Sequence, residues 1–387
     1  MAASIGNRKW QRGYRVTISP FYRFLDIFWK GGRKMQKSKK YVFVLFVLSL
    51  TALALLFHLR ERQVQVSAAL SAEQWMANGA YYVHVHQHGV FRFAPESGET
   101  SLVMQTTRHS HGQHRAVFGN DDGIYYVYRA GERETLYVRT YDAAESRPLY
   151  EIQRREKSGD GIQIESLKNS LLMMRVFEGD TETLLQLDTS SGEITYIPKD
   201  PFATQAFVLG NEVYQDIYEG GTIQYRSLHL NGASILPAGT TYGSTHQIGN
   251  NLIVQFYHND QHEGDWWEKW ETYLISVGKE MRAIPNGNYL VEVGQVLLYL
   301  PWENHSALYS YHLHTGVTRR LHDDFSAWHA VTDGTWLFAT APTSVSGAEI
   351  EGILPMQTDG WKLIFDEMGE LIDLELIAED VSFYARR

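Results

Sequence analysis

The sequence predicts an all-β domain carried behind one N-terminal membrane helix, and three observations predict it. Residues 41 to 59, YVFVLFVLSLTALALLFHL, hold no formal charge. From Ala80 onward, short runs rich in Tyr, Val, Ile, Leu and Thr alternate with turn clusters. Those clusters return at a near-constant spacing along the rest of the chain.

The apolar stretch comes first. At about 1.5 Å rise per residue it just crosses a hydrocarbon core of about 30 Å. Arg33, Lys34, Lys37, Lys39 and Lys40 precede it, whereas Arg60 and Arg62 follow with Glu61 between them. The positive-inside rule then places the N-terminus in the cytoplasm and the C-terminal domain outside it, the single-pass topology of a cell membrane protein. Val66-Ser67-Ala68 offers the small residues of a signal-peptidase site, which is the rival reading. The length of the stretch and the charges at Arg60 to Arg62 favour its retention as a signal anchor. Met35 opens MQKSKKYVFV, a compact anchor by itself.

Residues 1 to 40 form a basic arm in which eleven Lys and Arg face one acid, Asp26. The arm therefore carries +10 and the rest of the chain -20, within a total of -10. A basic arm suits anionic lipid headgroups, and an acidic body is poorly suited to nucleic-acid phosphates. Membrane lipid, met by residues 41–59 and the arm, is thus an expected partner and nucleic acid is not. From Phe21 to Lys30 the arm reads FYRFLDIFWK, dense enough in aromatic and aliphatic groups for a short interfacial helix, with a disordered tail as the alternative. Residues 60–74 read as a short polar linker.

The chain has no cysteine, which excludes disulfides, thiolate zinc sites and cysteine nucleophiles. An exported domain must then be stable by packing alone, a usage that fits a bacterial surface. No cofactor is expected.

Ile124-Tyr125-Tyr126-Val127-Tyr128 and Leu252-Ile253-Val254-Gln255-Phe256-Tyr257 are typical of the strand runs. Asn120-Asp121-Asp122-Gly123, Ser190-Ser191-Gly192, Asn231-Gly232, Asn286-Gly287 and Asp333-Gly334 supply the turns, through residues that tolerate positive φ or bond their own backbone. Strands that follow a turn begin near Gly79, Gly123, Ser170, Asn211, Asn250, Gly294 and Gly334. The spacing, about 40 to 47 residues, is that of a four-stranded propeller blade, and seven units fit residues 75–387. A ring of six or eight blades and a pair of β-sandwiches are the alternative arrangements of the same strands.

Further hairpins close several units, as in the run from Leu184 to Ile194, that from Leu308 to Val317 and that from Leu363 to Leu371. On these residues the chain resembles membrane-anchored bacterial β-propeller proteins of a loosely patterned kind, in which an apolar strand, a polar turn with Gly and a second strand recur. It carries no reiterated Trp-Asp dipeptide and no kelch glycine pair. A closed ring leaves only short sheet edges, which suits a domain without disulfides. Closure is expected to use a terminal strand that completes a blade begun at the other end, from residues 374–383 or 73–76.

Two groups of residues are candidate sites. His84 and His86 alternate with valines on a strand and face one way, with His88 in the next turn; His109, His111 and His114 follow one hairpin later. Converging imidazoles would hold zinc, copper or nickel, and the default reading is a solvated strand face. Between His258 and Trp270 a long polar insertion ends in Trp266, Trp267 and Trp270, with Trp302 (near Glu303 and His305) and Trp328 in the following units. Tryptophan beside carboxylates suits stacking on sugar rings or a protein hot spot, and packing between blades is the alternative. Asp121-Asp122 and Asp323-Asp324 read as turn chemistry, and Glu349 and Glu351 as a carboxylate pair whose spacing a sequence leaves open.

The chain contains no nucleophile elbow, phosphate-cradling glycine loop or zinc-protease spacing. The expected function is a membrane-tethered extracytoplasmic binding or scaffold module that engages a protein or an envelope glycan through propeller loops. The alternatives are an extracytoplasmic enzyme, such as a glycan lyase or hydrolase, and a transmembrane sensor acting through the basic arm.

Overall fold

A computed structural model describes residues 64–67 and 73–385, apart from 86–87, 107–111, 144, 155–159, 169, 180, 199, 201–202, 219–225, 238–239, 259–269 and 343–355. Among the described residues the regular structure is all strand, and no helix is long and apolar enough to cross a membrane. The expected anchor, 41–59, lies outside them.

Seven four-stranded antiparallel sheets follow one another along the chain: residues 74–104, 112–153, 161–197, 203–234, 240–284, 287–322 and 329–378. They are blades 1 to 7 of a β-propeller. Every blade uses its four strands in chain order, and each of the seven repeat starts read from the sequence is the first hairpin of a blade. Two sandwiches are thereby excluded. At Asn78-Gly79 both turn residues have positive φ, 48° and 68°, the geometry that matches the twist of a tight hairpin.

The buried apolar residues explain the ring. They fall into seven clusters, and each cluster joins one pair of neighbouring blades. The second strand of blade 6, Val296–Pro301, is buried at every position because both of its faces are covered. Leu297 and Tyr299 pack toward blade 5, while Leu298 and Leu300 pack toward blade 7. Strand periodicity of two sends alternate side chains to opposite neighbours, so a continuous apolar run serves two interfaces at once.

The innermost strands of blades 2 to 6 share a feature that the sequence did not announce. Each shifts register once, at Ala116, Glu165, Thr204, Gly243 and Leu290. A bulge adds twist and bends its strand, which suits a strand that must curve beside the axis. Five different residue types stand at the bulge, so ring geometry and not residue type selects it.

Closure corrects the expectation of a shared blade. Gln74–Ala77 is the innermost strand of a complete blade 1, and Leu371–Ala378 is the outermost strand of a complete blade 7. The ring closes through side chains instead. Tyr81, Phe91 and Phe93 of blade 1 meet Phe338 of blade 7, and Val381 and Phe383 from beyond blade 7 fill the same cluster. Gln74 Oε1 accepts hydrogen bonds from Tyr81, at 2.5 Å, and from Thr340 of blade 7, at 3.0 Å. The strand Ser382–Ala385 pairs with Val64–Ser67, inside the segment expected as linker.

Candidate binding face and central channel

In an antiparallel four-stranded meander the first and third turns lie at one end, and the middle turn and the exit to the next blade lie at the other. The second end is termed the link face. Trp270 opens the third strand of blade 5, Trp302 lies in the middle turn of blade 6, and Trp328 lies in the link between blades 6 and 7. All three tryptophans therefore share the link face.

The fold brings two of them together. The Trp270 and Trp302 rings meet edge to face, with centroids 5.6 Å apart and planes at 80°. Tyr257, the register partner of Trp270, joins them at 5.3 Å. Trp270 can sit there because the bulge residue beneath it is Gly243, where a Cβ would come within 2.0 Å of the indole. Asn286, expected in a turn, lies in the link from blade 5 to blade 6, and its amide donates to the Trp270 carbonyl at 2.6 Å. Trp328 stands half-exposed, its backbone N–H donating to the Thr340 carbonyl at 2.7 Å. Trp266 and Trp267 lie outside the described residues, in the connection that Tyr257 and Trp270 bracket. Glu303 and His305 are exposed beside Trp302.

Around the axis the innermost strands carry a second feature. His246, on Thr240–Ile248 of blade 5, and His329, on His329–Thr332 of blade 7, reach solvent, yet surrounding protein desolvates both. Desolvation disfavours the imidazolium and holds both pKa values below the ordinary histidine value; at His246 the nearby His329 adds to the effect. Ser244 Oγ donates to Gln255 Oε1 at 2.9 Å, and Gln255 Nε2 donates to the Gly287 carbonyl at 2.9 Å. The Ser244 proton is thereby committed, so the contact of 3.2 Å between Ser244 Oγ and His246 Nε2 requires the imidazole to donate. Neutral His246 then presents Nδ1 as an acceptor.

Of the expected metal ligands, His86, His109 and His111 lie outside the described residues. His84 is not on a solvated face: it is 4% exposed. Its Nδ1 meets the Glu73 carboxylate and its Nε2 lies 3.3 Å from Thr106 Oγ1, so both ring nitrogens are engaged. Thr106 is itself buried, which makes this relay a fastening for the start of blade 1. Among the described residues no group of three His, Asp or Glu side chains is placed to hold a metal ion.

The carboxylate pairs behave as turn residues. Asp121 Oδ1 accepts the backbone N–H of Asn78 at 3.0 Å, tying the first turns of blades 1 and 2, and Asp323 pairs with Arg320 at 2.5 Å in solvent. Glu349 and Glu351 lie outside the described residues. Sequence reading missed a buried ionic group between blades 2 and 3. Glu134, fully buried, lies 3.3 Å from Arg154 Nε and accepts the backbone N–H of Ile162 at 2.8 Å. Arg154 also donates to the Asp160 carbonyl at 2.5 Å.

No protein-family model matches the chain, and no curated protein matches it in sequence. Solved structures do match. The β-propeller domain of the Trilobed protease from Pyrococcus furiosus, described as having an open velcro topology, is similar with a TM-score of 0.52 at 12% identity, over 81% of this chain and 98% of that one. A puromycin-hydrolyzing peptidase from Mycobacterium tuberculosis gives a TM-score of 0.50 at 11% identity, over 82% of this chain and 55% of that one. An oligogalacturonate lyase from Vibrio parahaemolyticus gives 0.48 at 12% identity, over 80% and 93%. At such identities the likeness is one of fold. By its own sheets the chain is a seven-bladed β-propeller whose ring closes without a shared blade.

Proposed function

We propose that this chain is a membrane-tethered recognition module whose link face binds an envelope glycan. The observation that carries the reading is the edge-to-face pair of Trp270 and Trp302 at 5.6 Å, spanning two blades on the face that also bears Trp328. Aromatic faces stack on the C–H surfaces of sugar rings, and a rigid ring holds them at low entropic cost. Rim carboxylates such as Glu303 add hydrogen-bond acceptors for hydroxyls. A protein ligand met by the same anchors is the other outcome of the test.

The test is capture of envelope polysaccharides and envelope proteins by the detergent-solubilised full chain, compared with Trp270→Ala and Trp302→Ala. Capture of a glycan that falls about tenfold or more in both variants supports the reading. Unchanged capture sinks it. The tether is tested separately: protease added to intact cells should cut the chain beyond Arg62, and full protection would overturn an external propeller.

A specific observation also favours an enzyme reading, of the lyase or hydrolase class. His246 is held neutral, and with Nε2 donating to Ser244 its Nδ1 is the acceptor nitrogen, the state a general base needs. Turnover of an envelope polymer by the full chain that is lost in His246→Gln, with glycan capture retained, would establish it.

A further inference from the structure

The face opposite the tryptophans carries a cavity of its own. It occupies about 520 Å³ between the first turns of blades 5, 6 and 7. Ile248, Leu290 and Val291 give it apolar walls, and Asn250, Thr332 and Glu292 give it polar ones.

Glu292 is held in place. Its Oε2 accepts the side-chain amide of Asn251 at 2.9 Å and the backbone N–H of Asn250 at 3.3 Å. Gly249, with φ of 55°, lets the carboxylate approach, since a Cβ there would fall 1.9 Å from Oε2. One oxygen thus joins blade 6 to the turn of blade 5. Among the described residues no hydrogen bond engages the other, Oε1, and Glu292 lines the cavity as its one charged residue.

From this geometry we propose that the cavity is a binding site for an aliphatic ammonium ion. The cation meets Glu292, and the alkyl stem lies along Ile248, Leu290 and Val291. A preorganised carboxylate makes a charge-assisted hydrogen bond without paying to immobilise itself. The acidic body of the chain raises the local concentration of cations. The site is independent of the tryptophan rim, because the two lie at opposite ends of the strands.

Calorimetric titration of the full chain with pentylamine, and with pentanol as its uncharged counterpart, tests the proposal. Saturable binding of the amine at least about tenfold tighter than that of the alcohol is expected. Glu292→Gln keeps an oxygen for Asn250 and Asn251 but removes the charge, and should weaken the amine about tenfold with an unchanged melting temperature. Amine binding no tighter than alcohol binding, or unaltered in Glu292→Gln, would overturn the site. The comparison of probes on the unaltered chain decides the matter even where the variant fails to fold. No amine binding, together with a lowered melting temperature for Glu292→Gln, would mark Glu292 as an inter-blade clamp and nothing more.

Discussion

Tyr81 of blade 1 stacks on Phe338 of blade 7, with ring centroids 4.3 Å apart and planes within 6°. This pair spans the seam of the ring, the one interface where the two ends of the propeller meet. Phe383 leans on Tyr81 at 5.9 Å and on Phe91 at 5.7 Å, so the segment after the last blade wedges the seam shut.

Phe338→Ala should therefore destabilise the propeller by about 3–5 kcal/mol, the usual range for a fully buried phenylalanine. Phe383→Ala should do the same although it lies outside the seven blades. Denaturant unfolding measures both, and a loss below about 1 kcal/mol for Phe383→Ala would show that the seam does not rely on the wedge.

The ion pairs of blade 2 should differ sharply. Arg154→Ala removes the ion partner of the fully buried Glu134, and is expected to cost about 3–5 kcal/mol. Arg133→Ala breaks a solvated pair with Glu151, where the side chains are 62% and 48% exposed, and should cost about 1 kcal/mol or less. Equal losses in unfolding free energy would contradict this account.

Gly243→Ala probes the tryptophan platform without touching an indole. The new methyl would strike the Trp270 ring, and the nearest alternative space is closed by the Gln255 carbonyl at 2.9 Å. A changed near-ultraviolet tryptophan signal and weakened ligand capture are expected, with destabilisation of about 1–3 kcal/mol. An unaltered signal would mean that Trp270 does not rest on this bulge.

Stability should fall in acid, partly through His246 and His329. Both have pKa values lowered in the folded state, so below about 6.5 the unfolded chain takes up protons that the folded chain resists. Their contribution is complete above about pH 6.5 and is lost as pH drops toward the depressed folded values. Unfolding free energies measured at about pH 7.5 and about pH 5 should differ less in His246→Gln, His329→Gln than in the parent chain. An identical difference would show that neither group is desolvated.

Local chemistry was legible along the chain. The turns near Gly79, Asn211, Asn250, Gly294 and Gly334 announce themselves by residue type, because a tight hairpin needs positive φ or a side chain that bonds its own backbone. Runs such as those from Ile124 to Tyr128 and from Leu252 to Tyr257 announce strands, whereas burial of both faces, as at Val296–Pro301, came only with the fold. Spacing between those signals pointed to seven units with six or eight still open, and the seven four-stranded sheets of the fold fixed the count. The site was only partly legible. Trp270 and Trp302 stood out by composition, but nothing local shows that they touch, since they sit 32 residues apart on different blades.

Other features had no local signal at all. His84 alternates with valines as a solvated residue would, yet Glu73 and Thr106 enclose it. His246 and Glu134 look like ordinary polar positions of strands. What the sequence determined alone was whatever depends on one residue and its immediate neighbours: turn propensity, alternation, apolar runs and the charge of the two ends. What only the tertiary structure decided was which side chains converge, how the seam closes and where the bulges fall. Those depend on contacts between blades tens to hundreds of residues apart, and closing the ring sets them, since each blade must present complementary faces to both neighbours.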